Sequence, residues 1–207
     1  MNTKKGFTLL ELLIVIGILA ILSTTIVLVI NPAELLRKAR DSQRISDLNT
    51  MKTAIAYYVT ETSSPKIGSL STSQTYSDVA GVNCGGVGTN PSATATTTQS
   101  TNGTGWIPVE FSKMTGGSPI AALPTDPNKS SDSTGAYYYV YLVGSETDYT
   151  FKLVANMEST YYGNTGGDGG DVESTDGGVN INLYEVGTDM DIAITVGTDC
   201  YNGQTAS

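Results

Sequence analysis

Residues 7–30 read FTLLELLIVIGILAILSTTIVLVI and carry one charge, Glu11; no other stretch constrains the chain so strongly. As a helix this run rises about 36 Å at about 1.5 Å per residue, against a hydrocarbon core of roughly 30 Å. Lys4 and Lys5 precede it, which predicts an N-terminus in the cytoplasm and everything after residue 30 on the far side. A cleaved secretory signal fits poorly, because the apolar run is long and no small-residue cleavage pattern follows it. An ordinary single-pass anchor fits the length and leaves Glu11 unexplained. A charge at the centre of a membrane helix costs about 2.5–3.5 kcal/mol on insertion scales, and less near an end.

Lys5-Gly6-Phe7-Thr8-Leu9-Leu10-Glu11 resembles the class III signal of type IV prepilins and type II secretion pseudopilins. The resemblance implies that a membrane peptidase cuts after Gly6, removes residues 1–6 as a leader, and methylates the new N-terminus at Phe7. It also implies that Glu11 pairs with the Phe7 amine of a neighbouring copy during assembly. Elementary chemistry agrees with each point. Gly6 offers no side chain to obstruct a peptidase. The cut lies before the apolar run, so the anchor stays attached. A positive amine one helical turn from Glu11 offsets much of the desolvation cost of both groups in a low-dielectric bundle. The implied partners are copies of the same chain in a helical filament, the prepilin peptidase, an assembly platform with a separate ATPase, and the inner membrane. The implied location is a single-pass precursor in the cytoplasmic membrane, then an extracellular filament or a periplasmic pseudopilus.

Asn31-Pro32-Ala33-Glu34 is a helix-start pattern: a capping residue, Pro at the first helical position and Glu three residues after the cap. It predicts a restart between the apolar helix, residues 7–30, and an amphipathic helix over 31–62. The resemblance suggests that Gly17 and Pro32 bracket a segment that unwinds in filaments. Leu48, Met51, Ile55, Tyr58 and Val59, with Ile45 at the edge, form a stripe expected to bury against a sheet. The opposite side is assigned Arg37, Lys38, Arg40, Asp41, Arg44 and Lys52, a solvated face in a monomer and a strip meeting neighbouring carboxylates in a filament.

Residues 63–207 read as the exported domain. Residues 63–105 are rich in Ser, Thr and Gly, a long connection that is functional or mobile. Asn102-Gly103-Thr104 and Asn128-Lys129-Ser130 match the glycosylation triplet, and the Ser/Thr tract suits O-linked sugars. Tyr137, Tyr139, Tyr141 and Val143 alternate with Tyr138, Val140 and Leu142. A turn through 144–148 leads to Tyr149, Phe151, Leu153 and Ala155, which predicts a hairpin. Val179, Ile181 and Leu183 propose a third strand, and Ile192, Ile194 and Val196 a fourth. The expected class is α+β: a long hydrophobic helix continuing into an amphipathic helix packed on an antiparallel sheet, the pilin fold. Leu123-Pro-Thr-Asp126-Pro, the tyrosine-rich strand and Leu153-Val-Ala-Asn-Met-Glu158 together resemble the core pattern of major pseudopilins.

Two sites in this domain are expected. Asp168, Asp171, Glu173 and Asp176, in a Gly/Asp-rich stretch, are candidate oxygen ligands for calcium, the one ligand the sequence offers; the resemblance requires no cofactor. The stretch lacks the order of an EF-hand, and a solvated acidic loop is the alternative. Cys84 and Cys200, the only cysteines, form an even pair that outside the cytoplasm predicts one disulfide. Neither Asn83-Cys84-Gly85-Gly86 nor Asp199-Cys200-Tyr201-Asn202 has the apolar residues to hold itself down, so a bond would fasten both segments to the sheet.

Charge and missing motifs narrow the function. Residues 1–52 hold seven Lys/Arg against four Asp/Glu, and residues 53–207 hold four lysines against sixteen acids. An acidic distal domain argues against nucleic acid as its partner. The chain has no His, no G-x-S-x-G elbow and no phosphate loop of the G-x-x-x-x-G-K-[ST] type. The expectation is therefore a structural filament subunit and not an enzyme, with a pseudopilin of a type II secretion system, or a minor pilin or tip adhesin serving cell adhesion, as the alternatives.

Overall fold

A computed structural model describes residues 6–68, 74–79, 98–129, 137–145, 147–164, 170–194 and 201. The chain divides into two compact units, Met1–Arg37 and Lys38–Ser207.

The first unit is built on α1, Leu9–Ile30. Over Leu9–Ile26 its apolar side chains point outward all round, and none of that stretch is buried. Three hydroxyl residues sit in this helix without spare donors. Ser23 donates to the Leu19 carbonyl at 2.7 Å, Thr24 to that of Ala20 at 2.9 Å, and Thr25 to that of Leu22 at 2.8 Å. That local bonding is what lets such residues enter an apolar medium. The helix runs unbroken through Gly17, and Asn31 closes it in the left-handed region (φ 43°, ψ 74°). Asn tolerates that conformation because its short side chain bonds locally. The next helix, α2, starts at once at Pro32 and runs to Glu61, with the Glu34 N–H on the Asn31 carbonyl at 3.0 Å. Proline's missing N–H costs nothing at a first helical position.

The second unit is α+β, a helix on a four-stranded antiparallel sheet. The strands are β1 (Gln74–Ser77), β2 (Val140–Ser145), β3 (Thr150–Ala155) and β4 (Tyr184–Gly187), in spatial order β1-β2-β3-β4. The hairpin registers pair Tyr141 with Leu153 and Val143 with Phe151; β1 adds Tyr76 opposite Tyr141. Leu48, Met51, Ala54, Ile55 and Tyr58 of α2 pack with Tyr139, Tyr141, Val143, Phe151, Leu153 and Ala155 in one core. Each Leu, Ile, Met, Val or Phe side chain withdrawn from water here contributes about 1.5–3 kcal/mol. Residues 98–129 close this core with irregular backbone, contributing Trp106, Ile107, Val109, Phe111, Met114 and Leu123. The indole N–H of Trp106 donates to the Pro124 carbonyl at 2.9 Å, so its polar edge is paired where its ring is buried.

The sheet's other face is covered as well. Tyr138, Val140, Leu142 and Val154 form a second core with Val79, Leu183 and Tyr201. Lys152 and Glu185 are buried in the second unit as an ion pair at 2.7 Å.

Several expectations are corrected here. Of the proposed third strand, Val179 and Ile181 are 54% and 42% exposed and only Leu183 is buried; the strand itself is β4, where Glu185 and Val186 turn inward. Ile192 and Ile194 lie against the second core outside any strand, and Val196 is outside the described residues. Strand β1 falls inside the polar connection, where only Tyr76 signals it. Residue 201, beside Cys200, is anchored by its own side chain. Tyr201 is buried and stacks on Tyr138 with centroids 4.4 Å apart, and its hydroxyl donates to the Tyr138 carbonyl at 2.9 Å. Cys84 and Cys200 themselves lie outside the described residues.

The largest correction concerns the charged side of α2. Asp41 and Arg44 are wholly buried, because they continue the apolar stripe upward: 41, 44, 48, 51, 55 and 58 fall on one helical face. Arg44 meets Asp126 through Nε at 2.7 Å and Nη2 at 2.8 Å, Asp41 at 2.7 Å and Glu158 at 2.6 Å. Arg40 reaches Glu158 through Nε at 3.0 Å. Asp41 in turn accepts the backbone N–H groups of Glu158 and Ser159 at 2.9 and 2.8 Å. Burial alone would push the Arg44 guanidinium down, but Asp126 and Glu158 hold it above its usual value. Burial alone would raise the Glu158 carboxyl, and Arg40 with Arg44 hold it lower than usual. The arginines thus meet carboxylates of their own chain.

Candidate processing and assembly site

The backbone decides what a peptidase can reach. Residues 6–8 are irregular and α1 begins at Leu9, so the Gly6–Phe7 peptide bond lies outside the helix. Proteases read extended backbone, whose N–H and C=O groups are unspent, and a helix would withhold them. Gly6 has no neighbouring atom within 4 Å of the position a Cβ would take, and Phe7 is 81% exposed.

Thr8 sets this boundary. It has extended dihedrals (φ −82°, ψ 152°) and caps α1: its hydroxyl accepts the Glu11 N–H at 3.3 Å. Glu11 returns the bond. Its Oε2 accepts the Thr8 N–H and the Thr8 hydroxyl, both at 2.8 Å. This reciprocal capping box satisfies two donors that helix geometry leaves orphaned. It also turns the single acid of α1 back toward Thr8, two residues beyond Gly6. The order Thr8-x-x-Glu11 is itself a capping-box signature in the sequence, independent of the charge-pairing role the resemblance implies for Glu11. The Glu11 carboxylate keeps further lone pairs for an incoming ammonium group.

Residues 1–27 match the family described as the prokaryotic N-terminal methylation motif. The chain carries a class III prepilin signal. Comparison with curated proteins and with solved structures returned no match. The prepilin signal together with an uncovered helix of membrane-spanning length supports insertion as a membrane precursor.

The acids of the 170–176 stretch are held by hydrogen bonds from the chain itself. Glu173 is buried and accepts the Met157 N–H on Oε1 and the Asn164 N–H on Oε2, both at 2.9 Å. Asp171 accepts the Ser174 N–H at 3.0 Å and the Ser174 hydroxyl at 2.5 Å. Asp176 accepts from the Gly178 and Glu185 N–H groups at 2.7 and 2.5 Å. Each of these oxygens accepts at least one hydrogen bond from a donor of the protein. Among the described residues no three acidic, His or Cys side chains gather as a metal site. Asp168, the remaining candidate, lies outside the described residues.

Proposed function

We propose that this chain is a structural subunit of a type IV pilus-like surface filament. It is cut between Gly6 and Phe7, methylated on Phe7, and polymerised through α1. The observation that carries the reading is the junction of three features at one place: a peptide bond in irregular backbone, a Thr8–Glu11 capping box, and an uncovered apolar helix. A helix exposing apolar side chains all round must be covered, first by lipid and then by other copies, because leaving it in water forfeits the hydrophobic gain. Glu11 is the group that changes partners, adding the Phe7 amine of a neighbour to the Thr8 donors it already holds. The assembly platform, its ATPase and the peptidase are the remaining partners.

One observation favours a second reading, a major-pseudopilin-like subunit of a type II secretion system. Asp126 and Glu158, the acids of the two segments that resemble that group, converge on Arg44. Shear fractionation of cells separates the readings. The pilus reading expects abundant long fibres in the sheared fraction. Protein confined to the periplasm would overturn it in favour of the pseudopilin, and trace amounts at fibre tips would favour an adhesin.

A further inference from the structure

Two Asn-x-Ser/Thr triplets remain unabsorbed by the filament reading, and a chain so rich in Ser and Thr produces such triplets by chance. Geometry separates them. Asn102 is exposed, and its Oδ1 accepts the Thr104 N–H at 3.1 Å, the Thr104 hydroxyl at 2.6 Å and the Ser100 hydroxyl at 2.6 Å. A backbone N–H can only donate, so the atom facing it is the carbonyl oxygen and the amide nitrogen points away from the turn. That nitrogen makes no hydrogen bond among the described residues. Gly103 has φ +85°, and a Cβ there would stand 3.2 Å from the Glu110 Cβ, so the middle position of the turn takes glycine. An isolated bridge from Asn102 to Glu110 and the buried Trp106 and Ile107 hold the turn at the surface of the domain. Asn128 is exposed too, but only its backbone N–H is bonded, to Asp126 at 2.8 Å; no hydrogen bond to its side-chain oxygen accompanies it among the described residues, and Ser130 lies outside them.

The geometry points to Asn102 as an N-glycosylation site, taking its glycan from a polyprenyl-pyrophosphate-linked sugar through a membrane oligosaccharyl transferase. An amide nitrogen is a poor nucleophile because its lone pair is delocalised into the carbonyl. Three donors on Oδ1 draw electron density to oxygen and make the Nδ2 hydrogens more acidic, so a transferase carboxylate can remove one. The Nδ2–C1 bond forms as the bond from the anomeric carbon to pyrophosphate breaks. The lipid pyrophosphate leaves with the electron pair, and the proton passes to the base. Attachment to a surface turn of an exported domain suits a bulky, solvated group.

The inference rests on the export reading, and one sample tests both: protein isolated from its host and mapped by mass spectrometry at residue 102 and at the N-terminus. The expected result is glycan mass on the Asn102 peptide, lost in Asn102→Gln and in Thr104→Val, kept in Thr104→Ser, and unchanged in Asn128→Gln. Bare Asn102 in molecules that begin at Phe7 overturns the inference. Glycan on Asn102 in molecules that retain residues 1–6 supports it and sinks the processing reading alone.

Discussion

Replacing Arg44 by Met tests how the globular unit is held together. The guanidinium is buried and contacts Asp41, Asp126 and Glu158, all within 2.6–2.8 Å. Methionine fills a similar volume, so the packing loss is small and the electrostatic loss dominates. Three carboxylates would then share the site with Arg40 alone, whose side chain is 31% exposed and touches only Glu158 among them. Breaking a buried pair by removing one partner costs about 3–5 kcal/mol. Against a total stability of roughly 5–15 kcal/mol for a domain this is a large fraction. For a unit of this size it lowers Tm by about 6–20 °C. Urea unfolding at pH 7.5, followed by tyrosine and tryptophan fluorescence, measures it. Arg40→Met, at the more exposed end, should cost about 1 kcal/mol. A loss below about 1 kcal/mol would refute the buried-cluster reasoning.

The remaining predictions concern pH, the disulfide and assembly. Burial raises Asp78 to about 6 and Glu173 to about 7, against two backbone N–H bonds on each that pull down. Both folded values exceed the unfolded value of about 4, so protonation favours the fold, and stability should rise as pH falls from 8 to about 5. Glu173→Gln and Asp78→Asn should flatten that rise in urea melts, and an unchanged slope would count against it. Val79 and Tyr201 share the second core, Cys200 adjoins Tyr201, and the five residues from Val79 to Cys84 reach up to about 17 Å. A Cys84–Cys200 bond is therefore expected: alkylation of unreduced protein should leave both unlabelled, and replacing both by Ser should cost about 2–4 kcal/mol. Free alkylation of both thiols rejects it. Glu11→Leu should insert more readily and be processed, yet enter fibres poorly, measured as subunit recovered in the sheared fraction. Normal incorporation would remove the charge-pairing role.

Sequence periodicity carried the parts of the fold that rest on apolar repetition. The stripe Leu48, Met51, Ile55 and Tyr58 and the two alternating faces of residues 137–143 are where a period of 3.6 or 2 meets a core. The rest has a common cause: residue polarity and helical spacing point to opposite faces, and spacing decides. Asp41 and Arg44 lie on the buried face by helical count and became tolerable there only because Asp126 and Glu158, more than eighty residues away, converge on them. No local signal announces such a partner. Strand β4 lies beyond the β-branched Val179 and Ile181 because Glu185, whose burial depends on Lys152, is not a residue that propensity places in a buried strand. At the N-terminus the methylation motif is legible from residue types and spacing, and the Thr8 cap, which places the Gly6–Phe7 bond outside the helix, follows from the Thr-x-x-Glu order.

A helical reconstruction of fibres sheared from the native host tests the central claim most directly. The account predicts a core of α1 helices from many copies, chain density beginning at Phe7, and each Glu11 carboxylate within about 4 Å, ion-pairing distance, of a neighbour's Phe7 amine. Fibres whose subunits retain residues 1–6, or whose Glu11 side chains face no amine, would contradict it.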